Sequence, residues 1–186
     1  MARAKQSESS AEGRTDAIAL LKADHRQVEE WFEQFEKARD SERKQTLATQ
    51  ICEALKVHST IEEEIFYPAF LGATGETDIH HEAEVEHNGA KKLIAEIEES
   101  SPEDEYFDAR VTVLSEMIKH HVREEEKSDG MFSKARDSDM DLDALGEQLQ
   151  ARKSDLEGDV DDSDDTPTPR GQKEGRQPGR MARGSG

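Results

Sequence analysis

The chain has one cysteine, Cys52, and no run of apolar residues longer than the five from Ala17 to Leu21. A lone cysteine excludes an intramolecular disulfide framework and suits a reducing compartment. A five-residue run is too short for a membrane span or a signal-peptide core. Only 32% of the 186 residues are apolar and 5% aromatic, while 37% are charged; an average globular chain has roughly 45–50% apolar (glycine included) and about 25% charged. Part of the chain therefore lacks the apolar surface to offset ordering entropy. Basic residues are also in deficit, 25 Lys and Arg against 44 Asp and Glu, for a formal net charge of −19. That balance opposes nucleic acid and acidic membranes as partners, because phosphate contacts need a basic face. The glycines Gly72 and Gly75 have no lysine beside them to complete a phosphate loop, and the chain carries no nucleophile triad or nucleotide fingerprint. The expectation is an acidic, soluble, cytoplasmic protein.

The imbalance is uneven along the chain and divides it. Residues 1–14 are small and polar and read as a disordered arm. Residues 155–186 read as a disordered tail, first acidic, with seven Asp and Glu between Asp155 and Asp165, then basic, with five Lys and Arg from Arg170 onward. The basic block reads as solvated, with an anionic partner or the acidic block as its alternative contact; no protein partner is legible. Between the tails, residues 15–136 show helical periodicity four times, followed by a short accessory helix over 137–154.

The first stripe, after a cap at Thr15, is Ile18, Leu21, His25, Val28, Phe32 and Phe35 on a helix from Asp16 to Ala38. The second is Ile51, Leu55, His58, Glu62 and Ile65, on a helix that ends near Phe70. The third, after Thr77, carries His80, Ala83, His87, Ala90, Ile94 and Ile97. Ser101, Pro102 and Asp104 read as cap, first-turn proline and acidic third position of a fourth helix bearing Leu114, Ile118, His121 and Glu125. No stretch alternates like a strand, and the loops are short. The fold class expected is all-α, an antiparallel up-down-up-down four-helix bundle with disordered tails.

Each stripe holds a histidine where a bundle core would carry Leu or Ile. The string His-x-x-x-Glu alone is weak: it occurs five times, at His25/Glu29, His58/Glu62, His80/Glu84, His120/Glu124 and His121/Glu125, and glutamate-rich helices generate it as surface pairs contributing about 0.2–0.5 kcal/mol. Position on the face separates the pairs. Ile51, Leu55, His58 and Glu62 superimpose on Leu114, Ile118, His121 and Glu125 at a constant offset of 63 residues, as an internal repeat would. An ionised carboxylate inside a bundle costs several kcal/mol unless it is paired or bound to a cation, so two carboxylates and four imidazoles in one core point to metal. His120/Glu124 is the competing register, Cys52 and the aromatics Trp31, Phe32, Phe66 and Tyr67 read as packing, with a place beside the site as the alternative for Tyr67, and Glu63, Glu64 and the flanks of Glu125 read as solvated face. One difficulty is height: 14 residues separate His87 from Ser101, but 20 separate Ser101 from His121.

His25 within LLKADH, the segment His58–Pro68 reading HSTIEEEIFYP, Glu86-His87, and HHVREEE followed by Met131-Phe132 resemble the hemerythrin-like (HHE cation-binding) domain family over residues 15–136. The resemblance implies a non-haem di-iron centre held by His25, His58, Glu62, His87, His121 and Glu125, with the two glutamates bridging. Iron is the metal it implies, manganese or zinc the runners-up for a mixed nitrogen and oxygen donor set. It further implies a reaction partner among oxygen, nitric oxide and peroxide, in sensing, redox turnover, stress response or iron handling. The alternatives are a metal-binding or storage module without turnover and a metal-free structural bundle. One departure stands out: oxygen carriers of the family place a second histidine four residues before the one on helix 3, where this chain has Ala83. His80 or Glu84 is the candidate substitute; without either, redox turnover or sensing is favoured over reversible oxygen carriage.

Overall fold

The computed structural model describes residues 16–163, and among these every regular element is helical. The first helix, α1 (Ala17–Lys37), starts one residue later than expected: the Asp16 carboxylate accepts the Ala19 N–H at 2.8 Å, so Asp16 takes the role assigned to Thr15. A three-residue turn leads to α2 (Ser41–Ile61), capped the same way by Asp40 on the Arg43 N–H.

The chain then departs from expectation. Instead of running as one regular helix, it passes through a π-helical turn (Glu62–Phe66) into α3 (Tyr67–Thr74), which ends on Gly75 in the left-handed region, φ 70°. Pro68 is the local reason. In a regular helix its ring would crowd the Glu64 carbonyl and leave that group without a donor, and a widened turn just before it relieves both problems.

Next come α4 (Thr77–Glu98) and α5 (Phe107–Glu126). The Ser101–Asp104 signal does not open α5. Asp104 accepts the Ser101 N–H at 2.8 Å and donates its own N–H to the Ser101 carbonyl, closing a turn; a second turn to Phe107 follows, and the fully buried Phe107 begins the helix. This removes the height difficulty. His87 lies 11 residues before the end of α4 and His121 14 residues after the start of α5, about 5 Å apart in helical rise rather than six residues' worth.

A sharp corner at Gly130 leads into α6 (Met131–Arg136). A Cβ at Gly130 would sit 2.3 Å from the Glu124 carbonyl oxygen and 2.7 Å from that of Glu125, so only glycine lets the chain fold this closely over the end of α5. The last helix, α7 (Leu142–Ser163), is longer than the short accessory segment expected and continues into the acidic block. Its fully buried Leu149, with Leu142, Leu145 and Leu156 packed on the same cluster, holds it to the bundle. The expected arm at 1–14 and the tail beyond Ser163 lie outside the described residues.

Helices α1, α2, α4 and α5 each pack on the next, and α5 packs back on α1, closing a bundle. Its interior has two apolar clusters. One gathers Val28, Phe32, Ile51, Leu55, Ile94, Leu114 and Ile118, among others; the second gathers Ile18, Leu21, Ile61, Phe66, Phe70, Phe132 and Leu149. His25 falls between Leu21 and Val28, and His58 between Leu55 and Ile61, so the polar stripe positions form a layer sandwiched between the clusters. No helix of the described residues is long and apolar enough to cross a membrane.

Candidate metal centre

The structure brings six of the expected residues into that layer. His25, His58, Glu62, His87, His121 and Glu125 are all buried, with Glu62 at 0% exposure and Glu125 at 2%. The imidazoles meet in pairs: His25 Nε2 lies 3.1 Å from His58 Nε2, and His87 Nε2 lies 3.2 Å from His121 Nε2. Glu62 Oε2 is 3.3 Å from His58 Nε2 and 3.4 Å from His87 Nε2, so one carboxylate serves both pairs. Glu125 does likewise, with Oε2 3.4 Å from His25 and Oε1 3.6 Å from His121. Two buried oxygens, Glu62 Oε1 and Glu125 Oε2, accept no hydrogen bond from the described residues.

The outward nitrogens explain why the inward ones converge. Nδ1 of His25 lies 2.9 Å from Glu126 Oε1, that of His87 2.9 Å from Glu63 Oε1, that of His121 2.8 Å from Glu86 Oε2, and that of His58 3.5 Å from Asp24 Oδ2. An ionised carboxylate only accepts, so each ring carries a proton on Nδ1, and a neutral ring aims its Nε2 lone pair inward. Two facing lone pairs about 3 Å apart repel unless a proton or a metal cation lies between them. Donors about 2.1 Å from a shared cation and about 90° apart would be separated by about 3.0 Å, close to both imidazole pairs. Three-donor groups emerge, His25/His58/Glu62 and Glu62/His87/His121, each with ligand atoms within 4.8 Å of one another. The donor set fits cations, and two of them.

The titration behaviour of the metal-free layer agrees. Burial pushes His25 down to about 4 against the pull of Glu126. Burial also opposes the charged form of His58, but Glu62 and Asp24 outweigh it and raise that ring to about 10. Burial, reinforced by the Glu62 charge, lifts Glu125 to about 8, whereas at Glu62 the charges and hydrogen bonds of His58 and His87 overcome burial and hold the carboxyl well below the usual range. Without a cation, the layer takes up protons to balance its charge.

The outer carboxylates correct one expectation. Glu63 and Glu126 were expected on a solvated face, yet each grips an imidazole of a neighbouring helix. A sequence signal existed: Asp24, Glu63, Glu86 and Glu126 each stand next to one of the six inward residues. Helical phase alone turns such a neighbour about 100° away, toward the seam with the next helix rather than into open water.

Tyr67 corrects a second expectation: its main reading is a packing aromatic, with a place beside the site as the alternative, and it lies inside the site. Its hydroxyl is 3.3 Å from Glu62 Oε2, 3.2 Å from Glu125 Oε1 and 3.2 Å from His87 Nε2. Burial and the two glutamates raise its pKa well above the ordinary value, so it remains a hydroxyl that donates to a carboxylate. The π turn makes this contact. Tyr67 N–H donates to the Glu62 carbonyl, five residues back, which brings both side chains onto one face.

The remaining candidates stay outside. His80 stands over the Tyr67 ring, centroids 5.8 Å apart, with Nδ1 3.6 Å from Glu84 Oε2, and Glu84 is exposed. His120 is exposed and contacts Glu86, while Glu124 pairs with Lys127, so this register faces outward. Ala83 is buried in the second apolar cluster. Phe132 of α6 stacks on His25, centroids 5.8 Å apart and planes 12° from parallel. Beside the four imidazoles lies a cavity of about 20 Å³, walled mainly by Val28, Leu55, Ala90, Ile94, Ile118 and Val122. It has room for one water-sized molecule.

The model of the hemerythrin HHE cation-binding domain family matches residues 16–132. A crystal structure of a hemerythrin HHE cation-binding domain-containing protein from Mycobacterium kansasii has a similar fold, with a TM-score of 0.63 and 18% identity over 78% of this chain and 90% of that one. A protein of Nostoc sp. described as a DNA nickase is 31% identical over 109 residues, 59% of this chain, and the match spans only 31% of that protein's length.

Proposed function

The chain belongs to the hemerythrin HHE cation-binding domain family, and from that premise we propose that it is a non-haem di-iron protein that reacts with or senses oxygen, nitric oxide or peroxide. The observation that carries this reading is the inward convergence of four Nε2 atoms and two carboxylates, two of whose oxygens are left without donors. In it, His25, His58, Glu62, His87, His121 and Glu125 would hold the metals, with Glu62 and Glu125 each lying beside both imidazole pairs. Bound iron would supply one-electron redox chemistry and an open position for a small ligand.

The chain's own residues do the rest. The outer carboxylates orient the imidazoles, and the two apolar clusters keep bulk water from the layer. The small cavity that the four imidazoles help to line has room for one water-sized molecule, which suits a diatomic ligand better than a metabolite. Next to His87, where Ala83 offers no donor, the Tyr67 hydroxyl is the group at hand. Its O–H can donate a hydrogen bond to Glu62, to Glu125 or to a small ligand, which favours turnover or sensing over reversible carriage. A lone, buried cysteine suits a cytoplasmic setting.

The test is metal analysis with an optical spectrum. Two irons per chain and a charge-transfer band that changes on adding peroxide are expected; one zinc and no band would overturn the proposal. A second reading, a module that holds its cation without turnover, draws on the Nostoc relative, in which a stretch similar to this chain is one part of a longer protein. Two irons with no response to oxygen, nitric oxide or peroxide would favour it. DNA nicking is not carried over, because a net charge of −19 opposes a phosphate backbone.

A further inference from the structure

The four outer carboxylates form a ring in which each helix supports the histidine of the next. Asp24 of α1 reaches His58 of α2, Glu63 of the π turn reaches His87 of α4, Glu86 of α4 reaches His121 of α5, and Glu126 of α5 reaches His25 of α1. Every one of these carboxylates is also held by a second basic group. For three of them that group sits on the helix of the histidine being supported: Lys91 of α4 on Glu63, His120 of α5 on Glu86, and Lys22 and Arg26 of α1 on Glu126.

The fourth arm breaks the pattern. On α2 the basic residue nearest His58 in sequence is Lys56, and it is turned to Glu98. The cation on Asp24 is instead Lys153, whose Nζ lies 2.5 Å from Asp24 Oδ1. It comes from α7, a helix beyond the stretch that matches the family model. Lys153 is 23% exposed and sits one turn from the fully buried Leu149, which fixes its height on the bundle. The Asp24 contact to His58 is also the longest of the four, 3.5 Å against 2.8–2.9 Å, so this arm depends most on what holds its carboxylate in place.

We propose that Lys153 is a positioning residue for the metal centre, acting through Asp24 on His58, so that α7 sets the affinity of one metal position and not the other. A carboxylate that lost this ammonium would be free to swing toward solvent, leaving the His58 ring without its outer partner, and loss of such partners typically weakens metal binding by about 10–100-fold. The proposal rests on the di-iron reading above.

The test is stepwise calorimetric titration of the metal-free full chain with Co²⁺, comparing wild type with Lys153→Met, Lys153→Arg and Arg152→Met. Arg152 is the control, since it anchors the same helix through Glu64. Lys153→Met is expected to weaken one of two binding steps by about tenfold or more and leave the other within about twofold. Lys153→Arg is expected to restore the step, and Arg152→Met to leave both steps unchanged. Equal weakening of both steps, no weakening, or the same loss in Arg152→Met would overturn the proposal while leaving the di-iron reading intact. A wild type that takes up no Co²⁺ would remove both.

Discussion

The bundle interior contains two kinds of core. Toward one end, Phe32, Ile51, Leu114 and Phe107 pack as any helical bundle packs, each nearly or fully buried with no polar atom to satisfy. One or two turns away, equally buried positions on the same stripes carry His25, His58, His121, Glu62 and Glu125. The first kind stabilises the fold by roughly 1.5–3 kcal/mol for each large side chain removed from water. The second opposes it, since taking each ionic group out of water costs several kcal/mol, which pairing offsets only in part. The layer is tolerated because the apolar clusters on either side over-determine its geometry, and it becomes an asset when a cation enters.

The sharpest way to break this comparison is to cut each region once. Glu62→Ala removes the carboxylate common to both imidazole pairs and is expected to drop bound iron from two per chain to below one by metal analysis, with the far-UV circular dichroism of the bundle retained. Leu114→Ala, in the fully buried apolar region, is expected to cost about 2–5 kcal/mol in denaturant unfolding, yet still bind two irons. A Leu114→Ala protein without metal, or a Glu62→Ala protein with its full complement, would show that the division is wrong.

Removing metal without mutation should act on the layer alone. A cation at about 100 times its dissociation constant adds about 2.7 kcal/mol, which for a chain of this size corresponds to a melting temperature higher by about 5–10 °C. Scanning calorimetry before and after chelation measures it, and helical content should survive because the apolar clusters are untouched.

Converting one region into the other sharpens the contrast. The variant in which all six inward residues become Leu and Tyr67 becomes Phe is expected to bind no iron and to be more stable than the metal-free wild type by about 1–4 kcal/mol, since it replaces the whole buried ionic set, rather than one partner of it, by apolar groups. Equilibrium unfolding in urea decides the sign.

The layer also responds to pH. Metal-free, His58 is held at about 10 and Glu125 at about 8. Both must lose their protons to coordinate a cation, so binding releases protons and weakens as pH falls. From pH 8 to pH 6 the affinity is expected to drop by about tenfold per unit for each proton displaced, a slope that titrations at pH 6, 7 and 8 would resolve. A flat profile would mean that the layer is already deprotonated.

Much of this was legible before the fold. The six inward residues stand on stripes whose period any reader can count, and the 63-residue repeat singled out His121/Glu125 over His120/Glu124. The outer carboxylates are adjacent to those residues in sequence, yet Glu63 and Glu126 read as solvated face and Asp24 and Glu86 as no part of the site, because a helical wheel cannot tell an outer face from a seam between helices. Tyr67 reads from the sequence chiefly as a packing aromatic, because the π turn that brings it onto the Glu62 face depends on Pro68 and on packing across the bundle. The start of α5 was misplaced because a Ser-Pro-x-Asp signal serves a tight turn as readily as a helix cap, and the burial of Phe107 decided between them.

By itself the sequence determined the helices, the phase of their apolar faces and the donor types set among them, since all of these follow from a local period of 3.6 residues and the chemistry of each side chain. The tertiary structure decided which carboxylate supports which imidazole, that Tyr67 reaches both shared glutamates, and that Lys153 of α7 holds Asp24 across 129 residues of chain. Those pairings depend on the distance and rotation between packed helices, and no periodicity within one helix carries that information.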